Sequence, residues 1–265
     1  MPLFPRLARA GLHYWEEPCI SGEGGSGTIF FSGCSLRCVY CQNFEISHKN
    51  FGKTVSIERL AEIFKELEDK GAENINLVNP THYIHAIREA LNIYKPSIPI
   101  VYNTSGYENA DDLREFPVDI YLFDLKYCDD EKSLRYSAAG DYFGVATNAL
   151  MTVYKMLGKP QFDERGIMQN GIIVRHLLLP SSTNDAIRII DWCEKHCPEV
   201  IFSLMAQYTP YGKAMEHKQL GRKITSREYD KVCDHLSNKK FFDIYVQERK
   251  SATEDFIPPF NLEGI

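Results

Sequence analysis

Along most of the chain, short runs of β-branched and aromatic residues alternate with segments whose apolar residues recur at helical spacing. That alternation restricts the fold more than any other feature, because repeated strand–helix units lay their strands in parallel and cover the sheet with their helices. Thr28–Phe31 reads as the first strand of the series. Ile57, Leu60, Ala61, Phe64 and Leu67 then form a helical stripe behind Ser56 as N-cap, with Gly71 as the stop. Strand Asn74–Asn79 is followed by a helix carrying Ile84, Ile87, Leu91 and Tyr94, Ile98–Tyr102 by Asp111–Phe116, and Val118–Leu125 by Asn148–Leu157. Ile172–Leu179 with Ala186–His196, and Val200–Met205 with Thr225–Leu236, complete six units. Thr225 and Glu228 have capping-box spacing. Phe241–Gln247 reads as one further strand, Tyr127–Phe143 carries neither period clearly, and Pro160–Asn170 reads as a surface loop.

Six units fall short of an eight-stranded closed barrel. The expected fold is α/β, a partial (βα)6 TIM-like barrel, with an open doubly wound sheet as the alternative. Both place function at the carboxyl ends of the strands. Residues 22–247 are assigned to the barrel, 1–21 to an N-terminal extension and 248–265 to a C-terminal tail.

The balance of 36 acidic against 30 basic residues gives a net charge of −6, which argues against a partner such as nucleic acid that is bound along its phosphates. No run approaches the ~18 apolar residues needed to span a bilayer, and the first 30 residues lack a basic-then-apolar leader. The expected location is therefore the cytoplasm, without a membrane partner. Thiols stay reduced there, so the eight cysteines are expected to be free, metal-bound or reactive.

Five of them, Cys19, Cys128, Cys193, Cys197 and Cys233, are scattered. Cys193 and Cys197, with His196 between them, lie one helical turn apart and read better as core thiols than as a metal grip. Cys34, Cys38 and Cys41 are different: they follow the first strand in a C-x3-C-x2-C loop, at the rim where ligands bind. Such spacing lets one loop present three thiolates to one metal centre, and Gly33 permits a close backbone approach at its start. A zinc site completed by His48 or Cys19 is one reading. The other is a [4Fe-4S] cluster with three protein ligands, which leaves one iron open to a chelating ligand.

C-x3-C-x-aromatic-C after the first strand of a partial barrel resembles the radical S-adenosylmethionine superfamily. Further matches resemble its pyruvate formate-lyase activating enzyme-like members, and the stretch around Trp15-Glu16-Glu17 is similar to a less characterised branch of them. Gly25 through Cys34 is similar to their glycine-rich lead into the cysteine loop, Asn103-Thr104-Ser105-Gly106 to a polar turn, and Asp124-Leu125-Lys126 to their D-L-K. Arg175 through Pro180 resembles their R-x-x-x-x-P strand, and Tyr208-Thr209-Pro210-Tyr211-Gly212 their last active-site loop.

The resemblance implies a [4Fe-4S] cluster on Cys34, Cys38 and Cys41, S-adenosylmethionine as cofactor, and an electron donor such as flavodoxin or ferredoxin. It implies cofactor contacts from Tyr40, Asn79, Thr81, His82, Asn103, Ser105, Asp124, Lys126 and Arg175. Lys126 and Asp124, two residues apart on a strand, face the same side; they read as a catalytic pair that binds the cofactor's carboxylate, or as a structural salt bridge. One departure stands out. Where the superfamily carries a G-G-E-like turn that receives the cofactor's amino group, this chain has Asn79-Pro80-Thr81-His82-Tyr83, whose side chains offer acceptors instead. Asn103 replaces an acidic residue at the head of the polar turn. The expected activity is hydrogen abstraction from a glycine of a partner protein, a glycyl radical enzyme. The alternatives are a radical enzyme with a small-molecule or other protein substrate, and a non-catalytic zinc-binding module.

Overall fold

The computed structural model describes residues 3–116, 118–251 and 258–265. Positions 252–257 of the expected tail, and residues 1, 2 and 117, lie outside the described residues. Among the described residues ten strands are present: β1 (Arg6–His13), β2 (Ser26–Phe31), β3 (Lys53–Thr54), β4 (Ile75–Val78), β5 (Ile100–Thr104), β6 (Ile120–Asp124), β7 (Gln161–Phe162), β8 (Met168–Leu177), β9 (Ile201–Met205) and β10 (Asp243–Val246). The helices are α1 (Pro18–Ser21), α2 (Phe44–Ser47), α3 (Ile57–Asp69), α4 (Ile84–Ile93), α5 (Ala110–Glu115), α6 (Asp130–Ser137), α7 (Tyr142–Leu157), α8 (Thr183–His196) and α9 (Ser226–Leu236).

Strands β2, β4, β5, β6, β8, β9 and β10 run parallel in that spatial order. At one edge β1 pairs antiparallel with β2, and β3 with β1, so the sheet curls without closing. The six expected strand–helix units and the seventh parallel strand are all present. Ser56 caps α3 by accepting from Arg59 N–H, and the Thr225–Glu228 capping box opens α9. No described helix is long and apolar enough to cross a membrane.

Three stretches depart from the sequence reading. The polar segment after β6 holds α6, whose first turn is set by Asp129 accepting from the N–H groups of Glu131 and Lys132, and which stops at Ala138 in a left-handed conformation. Consequently α7 starts at Tyr142, earlier than the apolar period suggests. The expected loop at 160–170 contains β7, which forms an antiparallel hairpin with the start of β8.

Alternation along the parallel strands sorts the core into two layers. Residues such as Leu77, Tyr102, Tyr121, Phe123, Val174 and Phe202 pack outward under the helices. Val101, Ile120, Leu122, Ile173 and Ile201 point into the lumen and form an apolar floor. The same faces carry Asn76 level with Val101, Asn103 level with Leu122, and then Asp124, Arg175 and Ser203 in one row two residues further along β6, β8 and β9, so the lumen becomes polar toward its carboxyl rim.

Residues 6–21 are built into this arrangement. β1 covers β2, with Leu7 and Ala8 fully buried, and α1 lowers Cys19 and Ile20 onto the lumen floor. Asn74 donates to the Ile20 carbonyl at 2.7 Å. Deleting residues 1–21 removes a strand and part of the lumen core, and should lower the thermal midpoint by roughly 10 °C or more. An unchanged midpoint in calorimetry would contradict this packing.

Candidate functional site

The cysteine loop leaves β2 through Ser32 and Gly33. Gly33 has φ +92°, a region that L side chains rarely adopt, so the turn depends on the missing Cβ. Its N–H donates to Ile46 O at 2.9 Å, which folds α2 back against the start of the loop. The far side is pinned to α6 by Arg37 N–H to Ser137 O (3.0 Å) and Val39 N–H to Tyr136 O (2.8 Å). Cys34, Cys38 and Cys41 thereby line one cavity of about 250 Å³ at the carboxyl rim. None is in a disulfide. Each sulfur has a hydrogen-bonding neighbour: Leu36 N–H donates to Cys34 Sγ at 3.4 Å, Ser137 Oγ donates to Cys38 Sγ at 3.0 Å, and Ser47 Oγ lies 3.2 Å from Cys41 Sγ.

The opposite wall is a charged network centred on Arg175. Its Nε donates to Asp124 Oδ1 at 2.8 Å, one Nη to Glu16 Oε2 at 2.9 Å, and the other to Asn103 Oδ1 at 2.6 Å. Asp124 and Arg175 are in register on neighbouring strands, which accounts for their pairing. Lys126 Nζ donates to the second Asp124 oxygen at 2.8 Å. Glu16 Oε1 accepts from Asn76 Nδ2 at 3.1 Å and Asn103 Nδ2 at 3.2 Å. Tyr142 closes the corner beneath: its hydroxyl lies 2.8 Å from the carbonyls of both Ser105 and Asp124, which share its one proton, and accepts from Lys126 N–H at 2.9 Å.

Burial disfavours every charge here, and the pairing decides the outcome. Burial raises the Asp124 carboxyl, but Arg175 and then Lys126 more than offset it, so Asp124 is held below its ordinary value. Burial likewise lowers Lys126, and Asp124 together with Cys38 reverses the shift, leaving it raised. Both stay charged. Glu17, behind Glu16, has an Oε2 that is 3.9 Å from Arg175 and accepts no hydrogen bond; burial outweighs Arg175 and raises its carboxyl. Burial pushes the Cys38 thiol up to about 12, opposed by Lys126. A metal would convert such a thiol to thiolate as it bound.

Of the residues expected at the site, the structure brings together Cys34, Cys38, Cys41, Asn79, Asn103, Ser105, Asp124, Lys126 and Arg175 around the cavity. Tyr40, Thr81 and His82 are not among its lining side chains. Tyr40 is buried in the core with its hydroxyl 2.7 Å from that of Tyr127, which meets Ser137 at 2.8 Å, so it reaches Cys38 only through two hydroxyls. Thr81 donates to Glu108 at 2.7 Å. The His82 ring lies behind the Gly33 turn, where a Cβ added at Gly33 would come within 3.3 Å of it. Asn79, at φ +59°, donates its side-chain N–H to Gly33 O and so ties the β4 turn to the cysteine loop. His13, Trp15, Glu16 and Gln207 line the cavity without having been expected there. For Glu16 the only signal was the similarity around Trp15-Glu16-Glu17, which gave it no role.

Three soft sulfur donors on one wall, each with a hydrogen-bonding neighbour, fit an iron–sulfur cluster. Among the described residues no trio of His, Cys, Asp or Glu converges tightly enough to grip a single ion. The two residues considered as a fourth zinc ligand are engaged elsewhere. Cys19 packs on the lumen floor, and His48 stacks on Phe44 at 4.4 Å with its Nδ1 2.8 Å from Ser47 Oγ. Cys193 and Cys197 are fully buried in the core.

The sequence pattern of the Radical SAM superfamily matches residues 28–165. An uncharacterized protein of Methanocaldococcus jannaschii, MJ0674, is 30% identical over 245 residues, covering 88% of this chain and 67% of its own length. A pyruvate formate-lyase-activating enzyme of Clostridium pasteurianum is 27% identical over 123 residues, 42% of this chain and 50% of that protein. Two solved structures share the fold. Streptococcus suis SuiB, bound to precursor peptide SuiA, has a TM-score of 0.50 at 12% identity, covering 82% of this chain and 47% of that one. Methylornithine synthase (PylB) has a TM-score of 0.52 at 13% identity, covering 77% and 59%.

Two substitutions test the geometry. Tyr142→Phe removes one hydroxyl that serves three backbone groups and should cost about 1–3 kcal/mol in urea unfolding; a loss near zero would contradict the arrangement. Glu108 accepts from Thr81 and Thr104 beside the Ser105 turn, and burial lifts it from 4.5 to about 7 against the pull of those hydroxyls. The native state then binds this proton more tightly than the unfolded chain does. Its contribution is present below about pH 4.5 and is lost as pH rises through about 7. Glu108→Gln should flatten the fall in stability over that window, and an identical pH profile would rule the assignment out.

Proposed function

Because the chain belongs to the radical SAM superfamily, we propose that it is an S-adenosylmethionine-dependent radical enzyme in which Cys34, Cys38 and Cys41 hold a four-iron cluster. When bound, the cluster and cofactor supply a 5′-deoxyadenosyl radical, formed with methionine by one-electron reductive cleavage, that takes a hydrogen atom from the substrate. The observation that carries this reading is the shared cavity, with three sulfurs on one wall and a lysine–aspartate–arginine network on the other.

The residues divide the work by charge. Lys126 has three N–H donors, of which Asp124 takes one; it supplies the cation for the cofactor's carboxylate. Asp124 keeps that lysine charged and aimed, and Arg175, bound on three sides by Asp124, Glu16 and Asn103, fixes Asp124. Ser47 and Ser137 orient the sulfurs. The electron comes from a low-potential carrier of the flavodoxin or ferredoxin type.

For the hydrogen donor, the reading favoured is a glycine of a partner polypeptide. It is supported by the partial similarity to a pyruvate formate-lyase-activating enzyme and by Trp15, which lines the cavity while remaining 61% exposed, where an incoming chain would meet it.

Anaerobic reconstitution, strong reduction and addition of S-adenosylmethionine should give 5′-deoxyadenosine with the wild type and none with Cys34→Ala, Cys38→Ala or Cys41→Ala. Equal product from all four proteins would refute the enzyme assignment. Lys126→Ala should retain its iron and bind the cofactor roughly tenfold or more weakly; loss of iron instead would make Lys126 structural. With a glycine-deuterated partner polypeptide, deuterium should enter 5′-deoxyadenosine. Transfer only from a small-molecule donor would overturn the choice of substrate.

A further inference from the structure

We propose that Tyr40, Tyr127 and Ser137 form a directed chain of hydroxyls that raises the reduction potential of the cluster through Cys38; the inference rests on the cluster reading above.

The chain joins three separate parts of the fold. Ser137 Oγ, from the last turn of α6, lies 3.0 Å from Cys38 Sγ. The Tyr127 hydroxyl, from the segment after β6, lies 2.8 Å from Ser137 Oγ, and the Tyr40 hydroxyl, from within the cysteine loop, lies 2.7 Å from that of Tyr127. A metal-bound sulfur carries no proton, so the first contact runs from Ser137 to Cys38. Each hydroxyl has one proton to give, which fixes the rest: Tyr127 donates to Ser137, and Tyr40 to Tyr127.

The surroundings strengthen the chain. Tyr127 and Ser137 are fully buried and Tyr40 nearly so, and the Tyr142 ring packs edge-on against Tyr127 at 5.6 Å. Away from solvent, aligned hydrogen bonds polarise one another, by ~10–30% per bond. The other two sulfurs have different neighbours. Cys34 receives a backbone N–H at 3.4 Å, and Cys41 faces Ser47 Oγ at 3.2 Å, whose own neighbour is the partly exposed His48 ring. Cys38 has the shortest of the three contacts, and its donor is itself backed by two more hydroxyls. Reduction adds one electron, and the sulfurs share the added negative charge. A donor aimed at Cys38 therefore favours the reduced cluster.

The test counts the reduced cluster by electron paramagnetic resonance in reconstituted protein poised against a series of viologen dyes, each reduced dye passing one electron to the cluster. Ser137→Ala removes the donor, and Tyr127→Phe removes its support. Both should shift the potential downward, so that at a fixed poise the ratio of reduced to oxidised cluster falls roughly threefold or more. Tyr40→Phe, at the far end, should shift it the same way by less. Tyr136→Phe is the control: it removes a buried hydroxyl beside Ser137 that donates to Gln219 at 2.5 Å, outside the chain, and should leave the potential where it is. If Ser137→Ala fails to hold its cluster, Tyr127→Phe and Tyr40→Phe carry the test. An unmoved potential in Tyr127→Phe would overturn the proposal. So would an equal shift in Tyr136→Phe, which would make the effect one of packing. If the wild type gives no cluster signal, the cluster reading fails, and this inference with it.

Discussion

The Arg175 guanidinium is the constraint on which the site depends. It is a cation in the mouth of the lumen, with partners from three places: Glu16 before α1, Asn103 on β5 and Asp124 on β6. Taking a charge out of water costs several kcal/mol unless each donor is matched, and removing one partner of such a group typically costs about 3–5 kcal/mol. The network therefore sets the positions of three distant segments at once. It requires the N-terminal segment to enter the lumen, holds the end of β6 in register with β8, and, through Asp124, holds Lys126 on the cavity that the sulfurs line.

The cysteine loop answers to a second set of ties. Gly33 turns the chain, Asn79 anchors the turn to β4, and α6 receives the loop's backbone while giving Ser137 to Cys38. A helix that carries few apolar residues thus matters to the site through its last turn. Lys126 acts across the cavity on the Cys38 thiol, opposing part of the rise that burial imposes. Rigid placement of both walls by the sheet is what a reactive centre needs, since small displacements of positioning groups are costly to rate.

How much could be read from the residues alone follows from the range of the interactions. Strand–helix alternation is local, so the parallel sheet was legible, and so was the cysteine trio, whose members lie within eight positions of one another. Asp124 and Lys126 share a face by period alone. Glu16 had no assigned role because its partners lie 60 to 159 positions away, and no period links them. α6 escaped because its stability comes from an N-cap and docking rather than an apolar stripe. Tyr40 lies within the cysteine motif and Thr81 and His82 within the turn after β4, yet hydrogen bonds and packing draw each toward the interior or the back of the loop.

On the reading proposed, Cys34, Cys38 and Cys41 would hold a four-iron cluster and leave one iron to the cofactor. Mössbauer spectroscopy of protein reconstituted with iron-57 examines that iron directly. One iron in four should change its isomer shift when S-adenosylmethionine is added, while the other three stay as they were. Four irons indifferent to the cofactor, or no cluster spectrum from an oxygen-free sample, would contradict it.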